Sequence, residues 1–379
     1  MTPETRVGFG RATITPEVPV YLAGFSARTE PATTVHDDLE AIALVIACGD
    51  QRFCLIVCDL LGMSPDVAAT VRAAVGDAIE LDHDRVLTAC THTHTGPSVL
   101  RGGERLGWPT PPAYIDALVA GCVTAARAAH AAIEPAALFH GRAPLPADAS
   151  MNRRGLPYHP TFAVLDARRP DGTRVGTLAN IGIHPVALGV QCLAVSTDWV
   201  GPFRAALAEA TGGDAMLLQG ALGDVNPNDP HQHDAEGDYD HAAALGRSLA
   251  DTVGWALNAL SPVTGKPGTA GAAVSRTIQA PTGPSLLTQL LEPGTTLPVE
   301  LVEWSLGSVR LVSVPGEAFH ALGQELLGSR DGDVLLAGLA PAWQGYFPHP
   351  WGEGYEEGVS YGRSFVDAVR AALATDPMA

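Results

Sequence analysis

The stretch Val86-Leu87-Thr88-Ala89-Cys90-Thr91-His92-Thr93-His94-Thr95-Gly96-Pro97 joins a predicted buried strand to a pair of histidines. Its first five residues are mostly apolar and have the length of a strand, and Gly96-Pro97 imposes a turn directly after the histidines. On an extended segment His92 and His94 would point to opposite faces, whereas in a loop both imidazoles can approach one centre. Neutral imidazole is a common zinc ligand and can also carry protons near neutral pH. Ordinary loop histidines show the same spacing, so the interpretation depends on the rest of the chain.

The composition is that of a globular protein with a large core. The chain has 379 residues, of which 46% are hydrophobic and 17% charged, enough for one large domain or two to three subdomains. The formal net charge of −18 disfavours nucleic acid and anionic membrane surfaces as partners.

The sequence shows no targeting or membrane signal. No stretch reaches the length of a membrane-spanning helix, and the first residues lack the apolar core of a signal peptide. The cysteines lie mostly in apolar runs without CxxC spacing, so we expect reduced thiols in a cytoplasmic protein with no integral membrane association. These cysteines are Cys48, Cys54, Cys58, Cys90, Cys122 and Cys192. The sequence does not indicate an oligomeric state.

The predicted elements occur in the same order three times along the chain. Each unit is predicted to run strand, two-stranded hairpin, helix, strand, loop, helix. The units cover about residues 1–133, 134–262 and 263–379 of one domain. This predicts an α/β fold of mixed sheets flanked by helices, with three pseudo-equivalent units around one metal centre. Because identity between the units is slight, chance repetition of a common α/β pattern is the alternative.

Side chains with useful chemistry stand at matched points of the three units. The residues that follow the hairpins are Asp59, His184 and Glu317, and those in the loops after the last strands are His92, Asp224 and Tyr346. Each also has an ordinary interpretation: a histidine at a strand end is often a hydrogen-bonded structural residue, an acid at a helix start is favoured by the helix dipole, and an aromatic residue packs. If the units are equivalent, these loops surround one axis.

A second segment rich in histidine and acid follows Gly223-Asp224-Val225, the Gly-Asp-Val turn. Its candidates are His231, His233, Asp234, Asp238, Asp240 and His241. They lack the regular spacing of metal ligands, so a solvated loop is favoured over a second metal site.

Taken together, these motifs resemble the catalytic domain of the neutral/alkaline (non-lysosomal) ceramidase family, over most of the chain. The motifs that carry the resemblance are Val7–Pro16, Thr91–Pro97, Asn152-Arg153, the strand ending in His184, Gly223–Asn228, Pro315–Glu317 and the Tyr346 loop.

The resemblance implies a zinc hydrolase that cleaves the amide bond of N-acylated sphingoid bases through metal-activated water. By matching position, it implies zinc ligation by His92, His184, Glu317 and Tyr346. It also implies that His94 faces the substrate carbonyl and that Arg153 and Tyr355 lie near the scissile amide. The alternatives are acyl transfer to an amine or alcohol at the same zinc site, and a metal-binding protein without catalysis.

Three features depart from the family's usual pattern. The Gly-Asp-Val turn carries Asn226 where the family usually has a serine; an amide cannot be a nucleophile, but it can donate a hydrogen bond to an oxyanion or orient substrate. The chain ends at Ala379, so the family's C-terminal immunoglobulin-like domain is expected to be absent, and its secretion signal is not recognised.

The segments expected to border the metal are of mixed polarity. Ser98–Arg105 carries three charges, and the expected apolar walls are limited to Trp108, Trp343, Phe347, Trp351 and Leu286–Leu291. We therefore expect a short or medium N-acyl small molecule as substrate, rather than membrane-embedded ceramide.

Overall fold

The structure, a computed structural model, describes residues 5–228, 238–264, 271–289, 291–292 and 294–378. Its longer strands form three sheets. The first sheet consists of β1 (Thr5–Thr13), β2 (Glu40–Cys48), β3 (Gln51–Cys58) and β4 (Val86–Cys90), with Glu134–Pro135 added beside β1. Its helices are α1 (Pro65–Ile79) and α2 (Tyr114–Ala131).

The second and third sheets each contain four long strands in the same order. The second contains β5 (Ala137–Pro144), β6 (Thr161–Arg168), β7 (Arg174–Ile181) and β8 (Asp214–Gln219), with Ser261–Pro262 beside β5, and has helices α3 (Val200–Thr211) and α4 (Tyr239–Ala256). The third contains β9 (Ala272–Pro281), β10 (Thr296–Leu306), β11 (Val309–Val314) and β12 (Asp333–Gly338), and has helices α5 (His320–Leu327), α6 (Tyr355–Gly358) and α7 (Arg363–Leu373). The short strand pairs are Thr34–Val35 with Ala194–Val195, Ser150–Asn152 with Val225–Pro227, and Glu317–Ala318 with Tyr346–Phe347. Single 3₁₀ turns span His83–Arg85, Gly103–Leu106 and Leu257–Ala259.

The three sheets share one pairing pattern. In each, the first three strands pair antiparallel and the fourth pairs parallel to the third. The predicted α/β class with mixed sheets flanked by helices is confirmed. The arrangement of three equivalent units around one axis, within one domain, stays a prediction.

Alternating residues of β2 explain how the sheets pack. Ala43 and Val45 face α1 and α2, whereas Leu44 and its alternate neighbours face a layer that also contains Leu165 and Leu311 from the other two sheets. A strand places successive side chains on opposite faces, so an uninterrupted apolar run is buried on both. The core therefore lies where the three sheets meet, and helices cover their outer faces.

The sequence of the last unit predicts a helix over about residues 318–327 and a second one after a loop that ends at Gly358. In the structure the first helix begins at His320, because Glu317 and Ala318 pair as a strand with Tyr346 and Phe347. The second begins at Arg363, and α6 precedes it as a separate short helix.

The loops that follow β4, β8 and β12 lie close together. Strands β4, β8 and β12 contact one another. The side-chain amide of Gln219, at the end of β8, donates to the carbonyl of Thr91 at 2.8 Å, just beyond β4. In sheets with parallel strands, ligands commonly bind beyond the carboxyl ends of the strands, and this is where the predicted site residues lie.

Two further features concern the cysteines and the helices. All six cysteines are buried and free. No helix in the described residues is long and apolar enough to cross a membrane.

Candidate metal centre

His92 is held by the loop that follows β4 so that one ring nitrogen faces inward. Its Nδ1 lies 2.6 Å from the carbonyl oxygen of Leu61, which can only accept, so Nδ1 carries a proton and, in the neutral ring, Nε2 carries the lone pair. Nε2 is buried and has no hydrogen-bond partner within the described residues. The His92 backbone is left-handed, with φ 69°. A non-glycine residue in this conformation is strained and is often found at functional sites.

His184 is oriented in the same way, three residues after β7. Its Nδ1 lies 3.0 Å from the carbonyl oxygen of Val225, so Nε2 again carries the lone pair. The indole of Trp199 donates to the His184 carbonyl at 3.1 Å and fixes the backbone. Burial lowers the pKa of His184 to about 4, so the ring is neutral at neutral pH.

Glu317 places a buried carboxylate between the two rings. Its Oε2 lies 3.3 Å from Nε2 of His92 and 3.1 Å from Nε2 of His184. Its Oε1 accepts a hydrogen bond of 2.9 Å from the indole of Trp343. Burial alone would raise the pKa of Glu317, but attraction to positive charge on the adjacent imidazoles lowers it further, to well below its usual range. The carboxylate is therefore ionised, and beside neutral rings it needs another cation as its partner.

Three lone-pair atoms thus face one another without a proton between them. Such a cluster is repulsive unless it holds a cation. Two ligands of a tetrahedral zinc ion, each about 2.0–2.1 Å from the metal, lie about 3.3 Å apart. The separations of Glu317 from His92 and His184 have this size, so these residues fit a divalent metal ion.

His94 offers a further nitrogen beside this cluster. One ring nitrogen from each of His92, His94 and His184 lies within 4.8 Å of the others. Both His94 nitrogens are buried without a hydrogen-bond partner among the described residues. Burial, with the nearby imidazoles, holds the pKa of His94 well below its usual range. His94 is thus neutral and suited either to ligation or to contact with a substrate.

Tyr346 and Arg153 are two further polar residues beside this cluster. Tyr346 is paired with Glu317 in register between their short strands, and its phenol interacts with the Glu317 carboxylate. Burial, together with that carboxylate, raises the pKa of Tyr346 well above its usual value. The Arg153 guanidinium lies 5.7 Å from the centre of the Tyr346 ring.

Asn226 lies at the pocket beside Arg153. The Arg153 Nη1 donates to Oδ1 of Asn226 at 3.1 Å. The neighbouring Asp224 points away: its carboxylate accepts from the backbone N–H of His320 at 2.7 Å and from the side chain of Asn152 at 2.6 Å. Asp224 therefore supports the turn, and its matched position does not place it among the candidate ligands.

Asp59, the other matched point, is also structural. Its two oxygens each accept a 2.7 Å hydrogen bond from the guanidinium of Arg204 on α3. Both side chains are buried.

The histidine- and acid-rich segment at 231–241 is described only in part. Its histidines at 231 and 233 and its acid at 234 lie outside the described residues.

A pocket of about 380 Å³ opens onto these groups. It is lined by Gly24, Phe25, Ser26, Ala27, His94, Arg153, His184, Val186, Val190, Asn226, Tyr346 and Tyr355. The structure thus brings His94, Arg153, Asn226 and Tyr355 to one cavity beside the candidate metal ligands. Tyr355 stands at its mouth, 60% exposed.

The apolar wall of the pocket differs from the expected one. It comes from residues 24–27 and from Val186 and Val190, which sequence reasoning missed. Phe347 instead packs against the helices of the third sheet, Trp108 packs in a separate cluster, and Trp343 supports Glu317. Gly24 lies directly against His94: its φ is 107°, and a Cβ at this position would lie 2.4 Å from Cγ of His94.

Comparison with known proteins finds a matching family profile and similar structures. A sequence profile described as neutral/alkaline non-lysosomal ceramidase, N-terminal, matches residues 6–234, more than half of the chain. A structure described as the crystal structure analysis of neutral ceramidase from Pseudomonas aeruginosa is similar with a TM-score of 0.83 and 20% identity, covering 98% of this chain and 74% of that one. A structure described as ceramidase complexed with C2 matches with the same values. At this identity the structural likeness establishes a shared fold.

Proposed function

Because the chain belongs to the neutral/alkaline non-lysosomal ceramidase family, we propose that it is a zinc-dependent amidohydrolase that cleaves the amide bond of an N-acyl small molecule. The observation that carries this proposal is the cluster of unprotonated acceptors formed by His92, His184 and Glu317. Acyl transfer at the same centre has no separate observation in its favour.

The donor set supports zinc as the ion. Two imidazoles and a carboxylate are typical of catalytic zinc sites, which keep a further position for water or substrate. His92, His184 and Glu317 would hold the ion, with Tyr346 as the fourth ligand that the family resemblance implies and His94 as the neighbouring nitrogen. When bound, zinc would lower the pKa of a coordinated water towards about 7 and polarise the amide carbonyl.

The remaining side chains would bind and orient the amide. Neutral His94 has one N–H and one lone pair, so it can donate to the carbonyl oxygen or pass a proton to the leaving amine. The Tyr355 phenol at the pocket mouth can also donate a proton. Arg153 fixes the Asn226 amide by donating to its oxygen, so the amide nitrogen is the group that Asn226 would direct at a developing oxyanion.

The direct test is hydrolysis of N-acyl amides by the purified protein, followed as release of free fatty acid. We expect activity that a strong chelator abolishes and added Zn²⁺ restores. Undiminished hydrolysis after verified metal removal would rule out the proposed mechanism.

Asn226 is expected to assist the reaction without forming a covalent bond. Asn226→Ala should lower kcat by about 10- to 1,000-fold, the range for loss of one oxyanion donor, whereas Asn226→Ser should remain active. The exposed Asn258 provides a control, since Asn258→Ala should leave kcat unchanged. Detection of an acyl adduct by intact mass during turnover would refute this role.

The size of the pocket predicts the acyl preference. At about 30 Å³ per water-sized group, a cavity of about 380 Å³ has room for about a dozen non-hydrogen atoms. Amides of one amine that differ only in acyl length should gain about fourfold in kcat/KM per methylene, since each buried methylene contributes about 0.8 kcal/mol. The gain should stop at medium length. If kcat/KM instead rises steadily up to long-chain ceramide, the acyl chain must bind in a larger space than this pocket.

A further inference from the structure

Arg153 is the cationic side chain of the pocket beside the candidate metal ligands. Among its described lining residues, Arg153 is the one arginine, and there is no lysine. The two imidazoles that line it, His94 and His184, belong to the candidate metal centre. A carboxylate on a substrate's amine portion would therefore find its positively charged side-chain partner in Arg153.

The hydrogen-bonding capacity of Arg153 is already used. Its Nε and Nη2 both contact Oε1 of Glu356, at 2.9 and 2.8 Å, and Nη2 also donates to the carbonyl of Gly223 at 2.7 Å. Its Nη1 donates to Asn226 at 3.1 Å, and the phenol of Tyr346 is a further partner. A guanidinium has five N–H groups in a fixed planar arrangement, and these contacts account for them.

Glu356 is itself fixed in place. It lies on α6 and is 6% exposed, and its second oxygen accepts a 2.8 Å hydrogen bond from Nη1 of Arg154. Glu357, the next residue, pairs with the same Arg154 atom at 2.8 Å and accepts from the backbone N–H of Gly352, away from Arg153. Glu356 is thus the described carboxylate that meets Arg153, and Glu357 is its structural counterpart without that contact.

We propose that Glu356 sets the charge preference of this pocket: it neutralises and occupies Arg153, so that the site takes amides whose amine portion is uncharged and rejects N-acyl amino acids. This inference rests on the proposed function, because it concerns the substrate of the same site. The polar groups left to recognise a neutral amine portion are the side chains of Ser26 and Tyr355, which suit hydroxyl groups.

The test compares two amides of equal acyl length, N-octanoylethanolamine and N-octanoylglycine. The amine portion of the first bears a hydroxyl group, and that of the second bears a carboxylate. Their Kd values are measured by calorimetry on metal-free protein, and their kcat/KM values on the zinc-loaded protein. Wild type should favour the neutral amide by about 10-fold or more, the scale of an uncompensated charge in a partly buried site.

Three variants separate charge from structure. Glu356→Gln should reduce that preference about 10-fold, because Arg153 regains an uncompensated charge. Glu356→Asp keeps the charge and should retain the preference, and Glu357→Gln should retain it as well. Melting curves establish that each variant is folded.

The outcomes distinguish this inference from the proposed function. Equal binding of both amides to wild type, binding of neither, or an unchanged preference in folded Glu356→Gln would overturn the role of Glu356. If wild type binds the amides with the expected preference but hydrolyses neither when loaded with zinc, the charge preference stands and the amidase proposal fails.

Discussion

Replacing His92 with alanine is expected to remove the metal ion and nearly all activity. The variant lacks one of the lone-pair nitrogens that face Glu317 at 3.1–3.3 Å, so the ion loses a ligand. Purified wild-type protein should contain about one zinc per chain, the count for one such centre, and the variant almost none. Because loss of even a supporting partner of a metal ligand costs about 10- to 100-fold, kcat/KM should fall by more than about 100-fold.

The same loss is expected for Glu317→Ala, and a surface histidine provides the comparison. His83 is exposed in the turn before β4, so His83→Ala should keep its zinc and its activity. Full zinc occupancy in both His92→Ala and Glu317→Ala would show that the ion, if present, is held elsewhere.

Arg204→Met is expected to reduce the free energy of unfolding by about 3–5 kcal/mol. The substitution leaves the carboxylate of Asp59 buried without its two 2.7 Å hydrogen bonds from the guanidinium. An uncompensated buried charge of this kind typically costs about that much. Urea denaturation, followed by tryptophan fluorescence, measures the change.

Two comparisons identify the cause of this loss. The double variant Asp59→Asn, Arg204→Met removes the charge as well, and the Asn oxygen can still accept the hydrogen bond that the backbone N–H of Glu40 gives to Asp59, so it should recover much of the stability. Arg101→Met breaks an exposed ion pair with Asp66 and should cost no more than about 1 kcal/mol. If Arg204→Met costs no more than Arg101→Met, the buried pair contributes no more than an exposed one.

Much of the fold follows from patterns that act locally. The apolar run Val86–Cys90 predicts a buried strand, and β4 is buried throughout. The sequence also predicts helices over about residues 65–79 and 200–211, and these are the bounds of α1 and α3. The sequence could also identify two of the candidate ligands, because His92 and His184 stand just beyond buried strands that it indicates. The resemblance to a family then assigned Glu317 and Tyr346.

Two residues at the matched points have structural roles that depend on distant partners. Asp59 and Asp224 occupy positions matched to candidate ligands, yet Arg204 and Asn152, both far along the chain, hold them in structural contacts. Nothing near either aspartate in the sequence distinguishes a ligand from a buried ion pair.

The pocket wall was missed for a similar reason. Residues 24–27 have no regular periodicity, and they reach the site because the described loop folds over His94, where Arg28 donates to the His94 carbonyl at 2.8 Å. The pairing of Arg153 with Glu356 joins positions 203 residues apart. Such contacts become visible only when the sheets have been assembled.

The most direct test of the metal centre is a crystal structure of the zinc-loaded protein with anomalous data collected at the zinc edge. We expect a single strong peak about 2.0–2.2 Å from Nε2 of His92, Nε2 of His184 and a carboxylate oxygen of Glu317, the bond lengths of zinc to nitrogen and oxygen. The same map would decide whether Tyr346 or His94 is the fourth ligand. A peak elsewhere, or none at these three residues in zinc-loaded crystals, would show that they do not form the zinc site.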